Sequence, residues 1–558
     1  MLLTTLLLWI AFIYVSSASP HERYARAQQY GPYAELPDYG AFQGIQITSS
    51  LSNIPLPYPV DAWLGIDYSI QPIGSARFNL PTWPEPFSGA ADASNYGPAC
   101  VQGSSSYQSE ACLNFNVYRT EGIPLTEKLP VLVWIHGGAF VSGSGRSLDG
   151  AAFVAQSASP IVVITFQYRL GSLGSLPSKL MRDAGLLNLG LRDQRFFLEF
   201  LKEYVECFGG DPNAITLGGQ SAGAHSVGIH YFHNYGSDAG SKPLFARAII
   251  ASGGVTARSF PPATYPLYEQ QFQQYMSYLG CPTSGESALK CLRSADIKDI
   301  QYIQSALYGA SERNITWPFQ PVSGGPLLEK LGSVSGIDGT FFHLPLLTTS
   351  TTDEGKAFVP QDLETDSELS AFLKNIGPGL TAADIEDLKV LYPSPLKYPQ
   401  TSPYRNSPKS TQFNRVAAAW GDYAYICPVQ ETASRVSARG VPVWKARFNT
   451  PDYNPSWAGI PHAADGRYYN GLPSAEFPDI SFVYHAYWAS FVATGDPNTV
   501  KVDYAPFWEK YGKWGGGEKG VELVVEKTGA KMEWEGNGIR NPECKWWRDE
   551  ARMKRLNK

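Results

Sequence analysis

The sequence has little charge and no excess of basic residues. Asp, Glu, Lys and Arg make up 17% of its 558 residues and the formal net charge is −6, so nothing favours a phosphate backbone as partner and we expect no binding of nucleic acid. Beyond the N-terminus it lacks an uninterrupted run of about 18 apolar residues, the length of a membrane-spanning helix, and we expect no integral membrane span. Its hydrophobic content of 43% argues against disorder and is sufficient for a large buried core.

The N-terminus begins with a long apolar segment. Residues 2–15 are apolar except for Thr4 and Thr5, and residues 16–18 are small. No Lys or Arg precedes the run, but the run is too short for a membrane anchor, and the pattern is typical of a signal peptide over residues 1–18. We therefore expect a secreted, extracellular protein, in which the sequon at Asn314 is usable for N-glycosylation.

Cysteine is scarce and odd in number, which fits an oxidised compartment with one thiol left over. Of the seven cysteines, Cys100 and Cys112 are close in sequence, as are Cys281 and Cys291, so both pairs suit local bridges. Bridging the last two, Cys427 and Cys544, ties the C-terminal segment to the body and leaves Cys207 as a buried free thiol. Spacing alone does not fix this connectivity, and unpaired core cysteines remain the alternative.

The apolar pattern in the middle of the chain predicts alternating strands and helices. Residues 131–135 and 161–166 are uninterrupted apolar runs of strand length, and residues 190–208 carry apolar side chains at helical spacing. Apolar strands that alternate with helices predict a mostly parallel sheet covered on both faces, an α/β fold. No linker or internal repeat interrupts the chain, so beyond the signal peptide we expect an N-terminal segment (19–44), one domain (45–550) and a C-terminal tail (551–558).

Residues 219–223 form a G-x-S-x-G motif. The motif follows an apolar strand and precedes small residues that suit a helix, which is the context of a tight strand-to-helix turn that lifts one serine hydroxyl out of the backbone. Ser221 is therefore the candidate nucleophile. Because the chain contains 53 glycines, the five-residue pattern also occurs by chance and needs support from elsewhere.

A second glycine motif, HGGAF at residues 136–140, closes the strand at 131–135. Glycines at a strand end let the backbone approach a ligand, and preorganised N–H groups there would stabilise the negative oxygen that forms during acyl transfer. The alternative interpretation of this motif is an ordinary glycine turn. Two such motifs, each at the end of a buried strand, favour the catalytic interpretation.

In these motifs and their order, the chain resembles the type-B carboxylesterase/lipase family, which includes fungal secreted lipases and the cholinesterases. The resemblance spreads over most of residues 45–550 and its strength lies in the ordered set of motifs: WLGIDY (63–68), ARF (76–78), SEACLN (109–114), HGGAF (136–140), YRLG (168–171), LRDQ (191–194), FGGDP (208–212), TDEG (352–355) and GDPN (495–498). It implies the α/β-hydrolase fold with inserted helices and loops, and hydrolysis of ester or lipid substrates without a cofactor or metal.

The resemblance also supplies the partners of the serine. It makes Glu354 the triad acid, with the adjacent Asp353 as competitor, and places Ser252 near that acid, where a plain strand-end turn is the alternative. Among eight histidines, elimination by position leaves His462 as the base, because His485 lies among helix-spaced aromatics and the others precede the acid. The acid three residues later, Asp465, is a weaker candidate for the triad. The N–H groups of Gly138, Ala139 and Ala222 would form the oxyanion hole.

Three positions depart from the family pattern. Gln220 replaces a glutamate beside the nucleophile, Ala139 replaces a third glycine, and Gln167 replaces an asparagine. Since no triad member is lost, we expect a serine esterase active on neutral short or medium acyl esters or lipids. The alternatives are an ester- or lactone-processing enzyme of fungal secondary metabolism and an inactive, partner-binding relative. The oligomeric state does not follow from the sequence.

The first disulfide loop bears on substrate choice. In lipases of the family this loop is a long lid, and in cholinesterases it carries a tryptophan that binds choline. Here only residues 101–111 separate the two cysteines, and they are mostly Gly, Ser and Gln without Trp. We therefore expect no lid behaviour and weak activity on choline esters.

Overall fold

The computed structural model describes residues 31–103, 106–233, 243–512, 520–535 and 540–558. The predicted signal peptide, residues 1–18, lies outside the described residues. Among the described residues no helix is long and apolar enough to cross a membrane.

One large sheet organises the described part of the chain. Eleven strands lie in the order β16-β15-β14-β13-β12-β11-β9-β10-β8-β4-β3, while β1-β2-β5 and β6-β7 form two small sheets. The strands are β1 (Tyr33–Leu36), β2 (Gly40–Gln43), β3 (Ile45–Ser49), β4 (Pro55–Asp67), β5 (Ala90–Asp92), β6 (Ala99–Cys100), β7 (Gln108–Ser109), β8 (Asn114–Thr120), β9 (Leu129–Ile135), β10 (Val162–Phe166), β11 (Gly210–Gln220), β12 (Arg247–Ala251), β13 (Leu346–Thr351), β14 (Val443–Asn449), β15 (Val521–Glu526) and β16 (Gly529–Trp534).

The seven strands from β10 to β15 in this order run parallel, with antiparallel strands at both edges. Alternate residues of β9 belong to different cores: Val133 and Ile135 pack on one face, Leu132 and Trp134 on the other. Both faces are therefore covered, which explains why the central strands are uninterrupted apolar runs in the sequence.

Helices cover these faces and extend beyond the strand ends. The α-helices of the described residues are Gly150–Ala155, Gly171–Gly174, Lys179–Asp183, Leu189–Tyr204, Ala222–Phe232, Pro266–Tyr278, Glu286–Ser294, Ile297–Glu312, Gly332–Asp338, Asp366–Ile376, Ala382–Leu391, Phe413–Gly421, Cys427–Ser437, Pro478–Thr494, Asn541–Trp547 and Glu550–Arg555. The segment predicted as a helix over 190–208 is an α-helix over Leu189–Tyr204 followed by a 3₁₀ turn, Val205–Phe208, which ends at Gly209 with φ 69°.

Three disulfides hold the insertions and the C-terminal region. Cys100 is bonded to Cys112, Cys281 to Cys291 and Cys427 to Cys544. Cys207 has no disulfide partner and is half-buried rather than buried.

The segments that the sequence analysis set apart also pack against this body. Leu36 and Phe42 belong to the large core on one sheet face, and Met553 and Leu556 are buried near the C-terminus.

Candidate active site

Ser221 lies in a tight turn between a strand and a helix. Strand β11 ends at Gln220 and the helix Ala222–Phe232 begins one residue after the serine. Ser221 has φ 59° and ψ −125°, a conformation that non-glycine residues rarely adopt. A Cβ added to Gly223 would lie 2.0 Å from the Ile135 carbonyl oxygen, and one on Gly219 would lie 2.6 Å from the Gly223 backbone. Both flanking glycines are therefore required by close packing of the turn.

A hydrogen-bonded relay starts at this serine. Ser221 Oγ lies 2.7 Å from His462 Nε2, and His462 Nδ1 lies 2.6 Å from Glu354 Oε2. Glu354 is buried in the turn after β13, and His462 lies in the loop after β14. The carboxyl ends of parallel strands meet at one sheet edge, which is why residues so distant in sequence converge here.

The second carboxylate oxygen of Glu354 is also bonded. Ser252 Oγ donates to Glu354 Oε1 at 2.7 Å, and the Thr351 N–H donates to the same oxygen at 2.8 Å. The interpretation of Ser252 as a plain turn residue is therefore wrong, because its hydroxyl contacts the acid directly.

Asp353 has a different set of partners from its neighbour Glu354. Its Oδ2 accepts the Ile460 N–H at 3.0 Å, and its Oδ1 lies 3.0 Å from Lys356 Nζ. The Asp353 N–H donates to the Ile460 carbonyl. Asp353 therefore fastens the loop that carries His462, two residues before that ring, and does not contact the imidazole.

The other acid and the other histidine considered from sequence are not part of the relay. Asp465 is buried, and burial raises its pKa to about 7. Its Oδ2 accepts a bond of 3.4 Å from the Tyr484 hydroxyl, whereas His462 Nδ1 is occupied by Glu354. His485 is a core residue whose Nδ1 lies 2.7 Å from the Tyr469 carbonyl oxygen, and burial lowers its pKa to about 4.

The glycine loop after β9 borders the serine. Gly138 has φ 107°, and a Cβ there would lie 2.1 Å from the Ser142 carbonyl oxygen; Ala139 has φ 54°. Within the described part of the chain, the N–H groups of Gly138 and Ala139 donate to no protein acceptor. Ala222 is the first residue of its helix, where N–H groups have no intrahelical partner. None of the three N–H groups predicted as oxyanion donors therefore has a protein acceptor among the described residues.

Three neighbours of the site were missed from sequence. Gln320 Nε2 donates to the Ala139 carbonyl at 3.0 Å and so braces the glycine loop. The rings of Phe358 and Tyr425 lie against His462, with centroids 5.0 and 4.3 Å from the imidazole. Phe358 follows Glu354 closely enough to have been a candidate, but no sequence signal links Gln320 or Tyr425 to the site.

Gln220 contacts His462, the predicted base. Its Nε2 lies 3.2 Å from His462 Nε2, the nitrogen that also faces Ser221. A cavity of about 590 Å³ adjoins this side chain, and the walls include Gly137, Gly138 and Ala463. Among the described residues no group of three or more His, Cys, Asp or Glu side chains is arranged to hold a metal ion.

The sheet order and the serine turn define the α/β-hydrolase class, and a solved structure supports this. The chain aligns over 95% of its length with all of the crystal structure of Aspergillus niger EstA, with a TM-score of 0.82 and 29% identity. The carboxylesterase family matches residues 33–545. The protein therefore belongs to the carboxylesterase family, as the motif order predicted.

Similar proteins of known name support the same family assignment. The chain is 53% identical to secreted lipase 4 of Gibberella zeae over 97% of both sequences. It is 30% identical to the para-nitrobenzyl esterase of Bacillus subtilis, over 81% of this chain and 90% of that protein. It is also 30% identical to the acetylcholinesterase of Bungarus fasciatus, over 83% and 80%. With this family and these relatives, the protein is a carboxylic ester hydrolase.

Proposed function

We propose that the protein is a secreted serine esterase in which Ser221, His462 and Glu354 form the catalytic triad. The observation that carries the proposal is the continuous relay from Ser221 Oγ through His462 to Glu354, with bonds of 2.7 and 2.6 Å. In the first step His462 Nε2 takes the hydroxyl proton while Ser221 Oγ attacks the ester carbonyl. Glu354 orients the imidazole and stabilises its charged form.

The remaining steps use the same groups. The N–H groups of Gly138, Ala139 and Ala222 stabilise the oxyanion of the tetrahedral intermediate, each worth roughly 3–4 kcal/mol in the transition state. His462 then gives its proton to the leaving alcohol, and an acyl group remains on Ser221. Water attacks this acyl-enzyme with His462 again as base, and the acid is released.

The substrate class we propose is neutral esters with short or medium acyl chains. The support comes from the loop closed by Cys100 and Cys112, of which residues 104–105 lie outside the described part. Gln102 exchanges two hydrogen bonds with Gly143, of 2.8 and 2.9 Å, and Gln301 donates to the Gln102 carbonyl. A short loop fastened in this way does not act as a lid.

We also propose that the protein is secreted. The three disulfides suit an oxidising compartment, and the relative from Gibberella zeae is named a secreted lipase. Asn314, the predicted glycosylation site, is exposed in the structure.

Covalent labelling tests the proposal. An organophosphonate should inactivate the protein with one adduct, located on the peptide that contains Ser221. Ser221→Ala and His462→Ala should each lower kcat by roughly 10⁶-fold, and the double variant should be hardly slower than either, because the residues act as one unit. An active Ser221→Ala variant, or an adduct on another serine, would contradict the assignment. A series of p-nitrophenyl esters of increasing acyl length then measures the chain-length preference.

A further inference from the structure

Arg258 is a buried cation without an acidic partner. The residue is only 8% exposed, and burial lowers the pKa of the guanidinium. Among the described residues it makes one hydrogen bond, to Gln320 Oε1 at 2.9 Å, and its Cζ lies 4.2 Å from the centroid of the Trp317 ring. Burying a charge is costly unless it is paired, so this arginine lacks the counter-charge that its position requires.

Other buried arginines in this chain have a carboxylate partner or several carbonyl acceptors. Arg169 is paired with Asp193 and Arg415 with Asp366, while Arg119 donates to the backbone carbonyls of residues 120, 123, 124 and 127. Among the described residues, Arg258 has neither a carboxylate nor a backbone carbonyl as acceptor.

Arg258 lines a cavity whose walls are aromatic and basic. The cavity has a volume of about 280 Å³, and no Asp or Glu contributes to its walls. Rings of two tryptophans and three tyrosines line it: Trp317, Trp420, Tyr265, Tyr268 and Tyr423. A second arginine, Arg555, lies in its wall and is paired with Asp384 at 2.7 Å.

The walls also carry hydrogen-bond donors without acceptors. The indole nitrogens of Trp317 and Trp420 are buried and have no partner in the described part of the chain. An indole N–H donates only, and a guanidinium likewise has no acceptor atom. The lining thus combines positive charge with the absence of a carboxylate, which favours an anion over a cation.

We propose that this cavity binds an organic carboxylate, with the carboxylate on Arg258 and an apolar body between the aromatic rings. A guanidinium and a carboxylate match as planar, bidentate partners. The apolar walls favour a ligand with a hydrocarbon body over a small inorganic anion, because burial of its hydrocarbon adds affinity.

This site is separate from the proposed triad but linked to it. Neither Ser221, Glu354 nor His462 lines the cavity. The connection runs through Gln320, whose Oε1 accepts from Arg258 while its Nε2 donates to the Ala139 carbonyl of the glycine loop. The proposal does not depend on Ser221 being the nucleophile, because it rests on the cavity alone.

Calorimetric titration of the full-length protein with octanoate and with octanamide tests the inference. The two probes have the same hydrocarbon chain and differ in charge. Octanoate should bind saturably and at least tenfold more tightly than octanamide, and it should do so equally well after Ser221 has been blocked by an organophosphonate. Equal affinity for acid and amide, or loss of octanoate binding on blocking Ser221, would overturn the proposal.

Variants locate the binding. Arg258→Met should abolish the preference for octanoate, and Arg258→Lys should retain part of it. The control is Arg540→Met, because Arg540 also lies over an aromatic ring, 5.9 Å from the Tyr404 centroid, but does not line this cavity. Unchanged octanoate affinity in a folded Arg258→Met protein, or an equal loss in Arg540→Met, would contradict the site.

A last comparison distinguishes a free acid from a carboxylate carried by the substrate. Hydrolysis of a dicarboxylic acid monoethyl ester is compared with that of its diethyl ester. A preference for the half ester that disappears in Arg258→Met assigns the site to a substrate carboxylate. Octanoate binding without such a preference assigns it to a free acid. If Ser221 fails to react with the phosphonate, the proposed function fails, while octanoate titration of the unlabelled variants still tests the cavity.

Discussion

At the residue scale, Asp353 and Glu354 are adjacent carboxylates that bond different parts of the site. Glu354 is fully buried and bonds the imidazole of His462, whereas Asp353 is partly exposed and holds the backbone of Ile460 in the histidine loop. A fully buried carboxylate that accepts bonds from Ser252 and Thr351 is fixed in one orientation. Glu354 therefore bonds the proposed base directly, while Asp353 bonds the loop that carries it.

Substitution of the two acids should separate these tasks. Glu354→Gln should lower kcat by roughly 10⁴-fold, because the amide disturbs the tautomer and charge of His462 while keeping its size. Asp353→Asn, the matched control, should lower kcat far less and instead reduce thermal stability. Steady-state kinetics and thermal unfolding of both variants measure this, and the reverse ranking of kcat would transfer the role of acid to Asp353.

Asp465 makes stability depend on pH. Burial raises its pKa to about 7, whereas an unfolded Asp titrates near about 3.9. Between these values the native state holds a proton that the unfolded state has lost, so this group's stabilising contribution is complete below about pH 4 and is lost as pH rises to about 7.

Asp465→Asn should remove that dependence. Relative to the variant, the wild-type free energy of unfolding should fall by about 2–3 kcal/mol between pH 5 and pH 8. Urea unfolding at several pH values, with the disulfides intact, measures it. Parallel pH curves for the two proteins would show that Asp465 does not titrate in this range.

At the element scale, the sequence was most informative where one strand or helix determines its own pattern. Strands β9 and β10 have long apolar runs because both faces of the sheet are covered, and the helix Leu189–Tyr204 has 3.6-residue spacing because one side faces the core. Gly219 and Gly223 could be recognised because their missing side chains are a local requirement.

Other elements depend on contacts that are distant in sequence. The π-helix Asp422–Ile426 presents Tyr425 to His462, and Gln320 reaches Ala139 across 181 positions. Neither has a periodic pattern or a motif, so only the assembled fold shows them. His462 was found by elimination among few histidines together with the resemblance of its loop, residues 458–465, to the histidine loop of the family.

The disulfides stabilise the inserted elements. The Cys281–Cys291 bridge closes a loop between the helix Pro266–Tyr278 and the helix Glu286–Ser294, and in the chain-entropy account it contributes roughly 2–3 kcal/mol. Peptide mapping without reduction should find this bridge together with Cys100–Cys112 and Cys427–Cys544. Thiol labelling of the denatured, unreduced protein should modify Cys207 alone. Two or more labelled cysteines would contradict the assignment of three disulfides.

At the scale of the whole molecule, the parallel sheet brings together groups from distant parts of the chain. Ser221 follows β11, Glu354 follows β13 and His462 follows β14, so the relay exists only when the central sheet is complete. Loss of activity and loss of the sheet should therefore coincide on unfolding, whereas the loop closed by Cys100 and Cys112 lies outside that central sheet.

The fastened disulfide loop and the neutral side chain of Gln220 together predict the substrate kinetics of the intact enzyme. The described part of the loop is tethered through Gln102, and the neutral Gln220 lies 3.2 Å from the base where an acid would attract a cation. Rates on soluble neutral esters should follow a hyperbola without a jump at the solubility limit, and butyrylcholine should be a poorer substrate than a neutral butyrate ester. Gln220→Glu should raise kcat/KM for butyrylcholine relative to that neutral ester, since it supplies the missing charge. A sharp rise in rate above the solubility limit, or a preference of the unmodified enzyme for butyrylcholine, would refute this account of substrate access.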